Sequence, residues 1–152
     1  MREIEYVRMH GLGNDFIFLD GIGQKLPRLD FLKLARSICN RKTGVGADGL
    51  ILMLPSSRAD LRMRIFNSDG SEAEMCGNGF RCLVRYVYDC GYISWKKIDV
   101  ETLAGVIEGA IISAKKNDFQ VKVGMGKPEF RAAKIPVRTS TVSYTHLTLP
   151  TN

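Results

Sequence analysis

Apolar residues recur along this chain with two different periods. Leu61, Met63 and Ile65 alternate with Arg62, Arg64 and Phe66, the two-residue rhythm of a half-exposed strand. Residues 4–9 and 15–20 predict two more strands on either side of a Gly11-Leu12-Gly13-Asn14 turn. Residues 50–54, 98–103, 106–113 and 119–123 continue the series, with Ala104-Gly105 and Lys116-Asn117-Asp118 as turns. Two stretches shift to helical spacing. Behind Asp30, a suitable cap, Phe31, Leu34, Ala35 and Ile38 share one face. That helix ends near Asn40-Arg41-Lys42, where basic residues suit a C-terminus. In the second, Cys76, Phe80, Leu83, Val84 and Val87 fall at i, i+4, i+7, i+8 and i+11, and Gly91 closes the run. Arg81, Arg85 and Asp89 are its only charged line, so most of its circumference is apolar and the helix belongs inside the molecule. The sum is an α+β chain: a mostly antiparallel sheet wrapped around a central helix.

At 152 residues the chain is long enough for one domain with a buried core. Its apolar content of 45% and charged content of 25% are those of an ordinary globular protein. The net charge of +6 comes from basic residues scattered singly and in pairs, and no nucleic-acid motif accompanies them. It reads as a solvated surface that also helps to draw anionic substrates. The first residues mix acidic groups with apolar ones and do not read as a signal peptide, and no stretch approaches a membrane span. A cytoplasmic location is the expectation. Four cysteines (Cys39, Cys76, Cys82, Cys90) lack metal-ligand spacing, and His10 and His146 stand far from them in sequence, so no metal is expected. Cys39, Cys82 and Cys90 read as small buried hydrophobes. Gly44-Val45-Gly46-Ala47-Asp48-Gly49 matches the glycine pattern of a dinucleotide loop, but a helix precedes it and a strand follows, the reverse of what that loop needs.

The stretch from Asn67 to Arg81 carries the candidate chemistry. Asn67-Ser68-Asp69-Gly70 forms a turn, and Cys76-Gly77-Asn78-Gly79 opens the central helix. Unpaired N–H groups at a helix start favour an anion, and the same end favours a thiolate at Cys76. A carboxylate held by those amides beside a thiolate suits chemistry on the carbon next to the carboxylate. Taken alone, the segment is equally a buried cysteine at a helix cap.

Three motifs occur in order: Met9-His10-Gly11-Leu12-Gly13-Asn14-Asp15-Phe16, then Thr43 to Gly49, then Phe66 to Glu72 with Met75-Cys76-Gly77-Asn78-Gly79. Together they resemble the amino-terminal half of the diaminopimelate epimerase family, over residues 3–137. The resemblance implies two pseudo-repeats of the sheet-around-helix fold with substrate in the cleft between them. It also implies cofactor-independent interconversion of LL- and meso-diaminopimelate, a step towards lysine and peptidoglycan precursors. One cysteine thiolate removes the α-proton and a second thiol donates one on the opposite face. On matching positions Cys76 is one of that pair, Gly77 and Asn78 bind the α-carboxylate, and Asn14 and Asn67 contact the rest of the substrate. Asn78 and the Gly13-Asn14-Asp15-Phe16 motif argue against the related proline racemases, which typically carry histidine at the position of Asn78. A non-catalytic amino-acid-binding remnant is the rival from another class.

Residues 1–138 are accordingly expected to form the amino-terminal domain and the start of an inter-domain connection. Residues 139–152 hold five threonines and no charge, do not resemble what the family carries next, and are expected to be a tail foreign to it. The second cysteine belongs to the half that this chain does not match. Cys82, six residues along the helix and about 9 Å further up its axis, is not a substitute for it. The chain alone is therefore expected to be inactive unless two copies pair as a homodimer with one Cys76 facing the other. Some family members carry a substrate-touching glutamine where Gly49 stands, and glycine has no side chain for that contact.

Overall fold

A computed structural model of the chain describes residues 3–94, 96–115, 118–131 and 134–135. The expected tail from Thr139, with His146, and Lys116-Asn117 of the last expected turn lie outside the described residues. The strands are β1 (Val7–Gly11), β2 (Asn14–Asp20), β3 (Gly49–Leu54), β4 (Leu61–Asn67), β5 (Glu72–Ala73), β6 (Lys97–Thr102), β7 (Gly105–Lys115) and β8 (Asp118–Val123). The helices are α1 (Phe31–Ile38) and α2 (Gly77–Asp89).

The strands form one sheet in the order β1-β2-β3-β4-β6-β7-β8, with the short β5 also paired to β4. The pairs are antiparallel except β2/β3 and β4/β6. Each parallel pair is bridged by a helix, α1 in the first and α2 in the second. Both crossovers step the same way along the sheet, yet β4 runs opposite to β3 and hence to β2. Crossovers of one hand then put their helices on opposite faces. That is what is found: α1 packs on β3 and β4 from one side, while α2 lies on the other against β1, β2, β7 and β8. Contact with both edge strands, β1 and β8, means that the sheet curls around α2, as expected from the sequence.

Because a helix covers each face, β2 and β3 are buried on both sides. Phe16, Phe18, Ile51 and Met53 point towards α2, whereas Ile17, Leu19, Leu50 and Leu52 point towards α1. On α2, Phe80, Leu83, Val84 and Val87 are fully buried, each worth roughly 1.5–3 kcal/mol of removed apolar surface. Gly91 follows the helix at φ +74°, and its N–H donates to the Tyr88 carbonyl while that of Tyr92 donates to Val87 (3.1 and 2.9 Å). These two bonds satisfy carbonyls that the last turn leaves open. Asp30 caps α1 as the sequence suggests, accepting from the Lys33 N–H at 3.2 Å.

Several local expectations are corrected. The first turn is only Leu12-Gly13, both at positive φ (51° and 91°), so strand pairing runs to Gly11 and Asn14. Leu103-Ala104 is the tip of the next hairpin, and Gly105 already begins β7. Phe66 is fully buried, stacked at 6.3 Å on Phe31, because α1 covers that end of β4. Cys90 is exposed at the end of α2, unlike Cys39 and Cys82, which are buried.

Candidate active site

The topology gathers the candidate residues at one end of the sheet. Asn14 begins β2, Gly49 begins the parallel β3, and Asn67 ends the antiparallel β4 directly opposite Gly49. A tight turn after β4, in which the Asn67 side chain donates to the Ser71 hydroxyl at 2.9 Å, leads through β5 into the start of α2. Cys76 is the cap of α2, one residue outside the helix, with an extended backbone (φ −139°, ψ 114°). Its sulfur accepts from the Gly79 N–H at 3.5 Å, and its carbonyl accepts from Phe80 at 2.8 Å. Among the described residues, the N–H groups of Gly77 and Asn78 have no acceptor. They are two of the donors that a helix start leaves open, at the positive end of its dipole. Cys76, Gly77 and Asn78 are half-buried, whereas Asn14 and Asn67 are exposed.

The hairpin and the helix meet through side chains. The Asn78 amide donates to the Asn14 carbonyl oxygen at 2.7 Å, and Arg81 donates to Oδ1 of Asn78 at 3.0 Å. Asn14 in turn donates to Asp48 at 3.3 Å, and Asp48 also accepts from the Asp15 N–H at 3.0 Å. Arg41 pairs with both Asp15 (2.7 Å) and Asp48 (2.8 Å), and Arg8 also contacts Asp15. The Arg41 and Arg8 guanidinium groups hold the Asp15 carboxyl well below the usual carboxylate range. Beneath the site Arg64 grips Glu72 through two hydrogen bonds of 2.7 and 2.8 Å. Cys82, by contrast, lies in the core, where burial first and the neighbouring Cys76 second push its thiol up to about 11. Burial likewise pushes Cys39 to about 11.

The start of α2 thus combines a thiol at the cap, two open amides beside it and an asparagine bonded to Asn14 of the hairpin. The family model described as diaminopimelate epimerase matches residues 6–131. The chain belongs to the diaminopimelate epimerase family. Proteins of that name from Desulfitobacterium hafniense and Moorella thermoacetica are 52% and 51% identical over 137 and 134 residues. Each match covers 88% of this chain but 48% of the relative, so the chain spans about half the length of these curated relatives. Among solved structures, a phenazine biosynthesis protein of the PhzF family from Bacillus anthracis superposes with a TM-score of 0.64 at 23% identity. It covers 81% of this chain and 40% of that one. A hydroxyproline epimerase from Agrobacterium vitis gives 0.61 at 19% identity, covering 79% and 40%. At such identities these two show the shared fold alone.

Of the residues singled out in the sequence, Asn14 and Asn78 are joined by a hydrogen bond, and Cys76 and Gly77 directly precede Asn78 at the start of α2. Asn67 lies at the same end of the sheet, its side chain turned to Ser71. The glycine-rich Gly44 to Gly49 segment follows α1 and runs into β3, the order that argues against dinucleotide binding. Sequence reasoning passed over Asp48 and Arg41, which tie Asn14 to the loop behind it. Asp48 falls within the glycine pattern of its segment, and Arg41 reads as a basic residue at the C-terminus of the first helix.

Proposed function

We propose that this chain supplies one half of the active site of a diaminopimelate epimerase, including one of its two acid–base thiols. The observation that carries this reading is Cys76 at the cap of α2 beside the open N–H groups of Gly77 and Asn78, in a chain of this family. The substrate α-carboxylate would accept from those two amides, which are placed to stabilise charge that builds up as the α-proton leaves. Asn14 and Asn67 would contact the remainder of the amino acid. As a thiolate, Cys76 removes the α-proton from one face, the electron pair spreads into the carboxylate, and a second thiol returns a proton to the opposite face. In the reverse direction the two sulfurs exchange roles.

Two groups flanking one carbon must each lie about 3–3.5 Å from it. Cys82 is buried and about 9 Å further along the helix axis. It cannot be the second acid, so residues 1–138 act either as the amino-terminal domain of a longer cytoplasmic protein that supplies the other thiol or as a pair in which Cys76 of a second copy supplies it. Alkylation of Cys76 by iodoacetamide tests the substrate assignment: meso-diaminopimelate is expected to slow it and proline is not, and equal rates with and without diaminopimelate would sink the assignment. Incubation in D₂O tests the half-site. No deuterium is expected at the α-carbon with this chain alone, whereas exchange with inversion, lost in Cys76→Ala, would show a complete site.

A further inference from the structure

Five side chains are linked across the candidate site, and the three hydrogen bonds from Arg81 to Asp48 all point the same way. Arg81 donates to Oδ1 of Asn78 (3.0 Å), Nδ2 of Asn78 to Oδ1 of Asn14 (2.7 Å), and Nδ2 of Asn14 to Oδ2 of Asp48 (3.3 Å). Arg41 closes the far end, donating to Oδ1 of Asp48 at 2.8 Å. An asparagine amide by itself can be turned over at little cost, since its oxygen and nitrogen are nearly the same size. Here neither can turn. A guanidinium only donates and a carboxylate only accepts, so the two charged ends dictate which end of each amide faces which neighbour. Reversing Asn14 would set its oxygen against the Asp48 carboxylate, and reversing Asn78 would set its NH₂ against the Arg81 guanidinium.

We infer that Asp48 and Arg81 are positioning residues that lock the Asn14 and Asn78 amides in one sense, so that the site meets its ligand with a fixed pattern of donors and acceptors. Asp48 touches neither Cys76 nor Asn78 and acts through Asn14, and Arg81 acts on Asn14 through Asn78. The consequence for binding rests on the function proposed above. With Nδ2 of each amide directed along the line, one N–H per asparagine remains for the ligand, together with one lone pair on each oxygen. That geometry suits a zwitterionic amino acid, whose carboxylate takes N–H groups and whose ammonium takes oxygens. An amide free to turn would present an oxygen to the carboxylate part of the time.

A purely structural role for Asp48 is the natural rival, since it also accepts from the Asp15 N–H and ties the hairpin to the loop before β3. The two differ in what happens beyond the nearest neighbour. In ¹⁵N-labelled full chain without ligand, hydrogen exchange of the Asn14 and Asn78 side-chain NH₂ groups is followed by NMR for wild type, Asp48→Asn and Arg81→Met. Asp48→Asn is expected to speed exchange at Asn78, which it does not touch, by fivefold or more. Arg81→Met is expected to do the same at Asn14 from the other end. Arg81→Met alters only a half-buried surface side chain, so it decides the matter even where Asp48→Asn unfolds the loop. Acceleration confined to the direct neighbour in both variants, with the distant amide unchanged, would overturn the inference. A parallel titration with meso-diaminopimelate separates the two readings. Loss of affinity in Asp48→Asn supports the consequence for binding. Absence of binding by wild type would count against the proposed substrate, while the exchange data still decide the amide lock.

Discussion

Gly49→Ala is predicted to destabilise the protein by about 1–2 kcal/mol, although alanine is favoured over glycine in most regular structure. An ideal Cβ at Gly49 would lie 2.8 Å from the Phe66 carbonyl oxygen and 3.5 Å from the Phe16 ring. Real Cβ atoms essentially never come closer than 3.0 Å and ordinary contact starts at 3.4 Å, so reaching ordinary contact means a retreat of 0.6 Å, the difference between 3.4 and 2.8 Å. A side-chain tip could swing away, but this is backbone within the β3/β4 ladder, where Leu50 faces Phe66 and Gly49 faces Asn67. Forcing extra volume into such packing costs roughly 1–3 kcal/mol. The lost freedom of the unfolded chain returns about 0.4–1 kcal/mol, leaving the net figure. For a chain of this size each kcal/mol lowers Tm by about 2–4 °C, so a fall of about 2–8 °C is expected by circular dichroism. Gly124→Ala is the control, because its Cβ would meet nothing nearer than the Glu108 carbonyl oxygen at 3.4 Å. It should be neutral or gain up to about 1 kcal/mol. Equal melting temperatures for the two variants would refute the reasoning.

Iodoacetamide at pH 8 should modify Cys76 and Cys90 and spare Cys39 and Cys82, whose thiols are buried and pushed up to about 11, with peptide mass mapping as the readout. Tyr92→Phe should cost about 1 kcal/mol near neutral pH, because it removes the 2.7 Å hydroxyl bond to Asp20. Burial raises the Asp20 carboxyl, but hydrogen bonds from Tyr92, Gly23, Ile22 and Tyr86 outweigh it and hold the group below its ordinary range. A depressed carboxyl stabilises the fold above its unfolded value of about 3.9 and loses that contribution as the pH falls below it. The gap between wild type and Tyr92→Phe should therefore narrow in urea titrations between pH 5 and pH 3, and a gap independent of pH would count against the account. Asp30→Ala should cost about 1 kcal/mol by removing the cap of α1, measured by urea unfolding at pH 7.

How much of this was legible in the sequence varied from element to element. Leu61, Met63 and Ile65 announced their strand, and the spacing of Phe80, Leu83, Val84 and Val87 announced a buried helix, because period and burial are local statements. Phe66 was not legible as core on the same grounds, since its burial depends on α1, thirty residues earlier in the chain. Nor were the two parallel pairings, which are set by where the crossover helices land and not by any residue in the strands. β5, with only Glu72 and Ala73, is too short to show a period. At the site, Cys76 and Gly77-Asn78 were visible because a helix start is a local feature. Asp48 and Arg41 were not, because their function lies in contacts to residues 33 and 26 positions away.

The hydrogen bond between Asn14 and Asn78 joins residues 64 apart. Closing a loop of that length costs roughly 3.7 kcal/mol of chain entropy by the logarithmic rule, several times what one such bond returns. The bond is thus a product of folding and not a cause of it: it forms only after the apolar face of α2 has docked inside the curled sheet. During synthesis the contact between the two asparagines does not exist until residue 78 has left the ribosome and α2 has packed. Any later event that undocks α2, even briefly, parts the two asparagines before the sheet itself is lost. The Asn14–Asn78 bond therefore reports on the docking of a single helix.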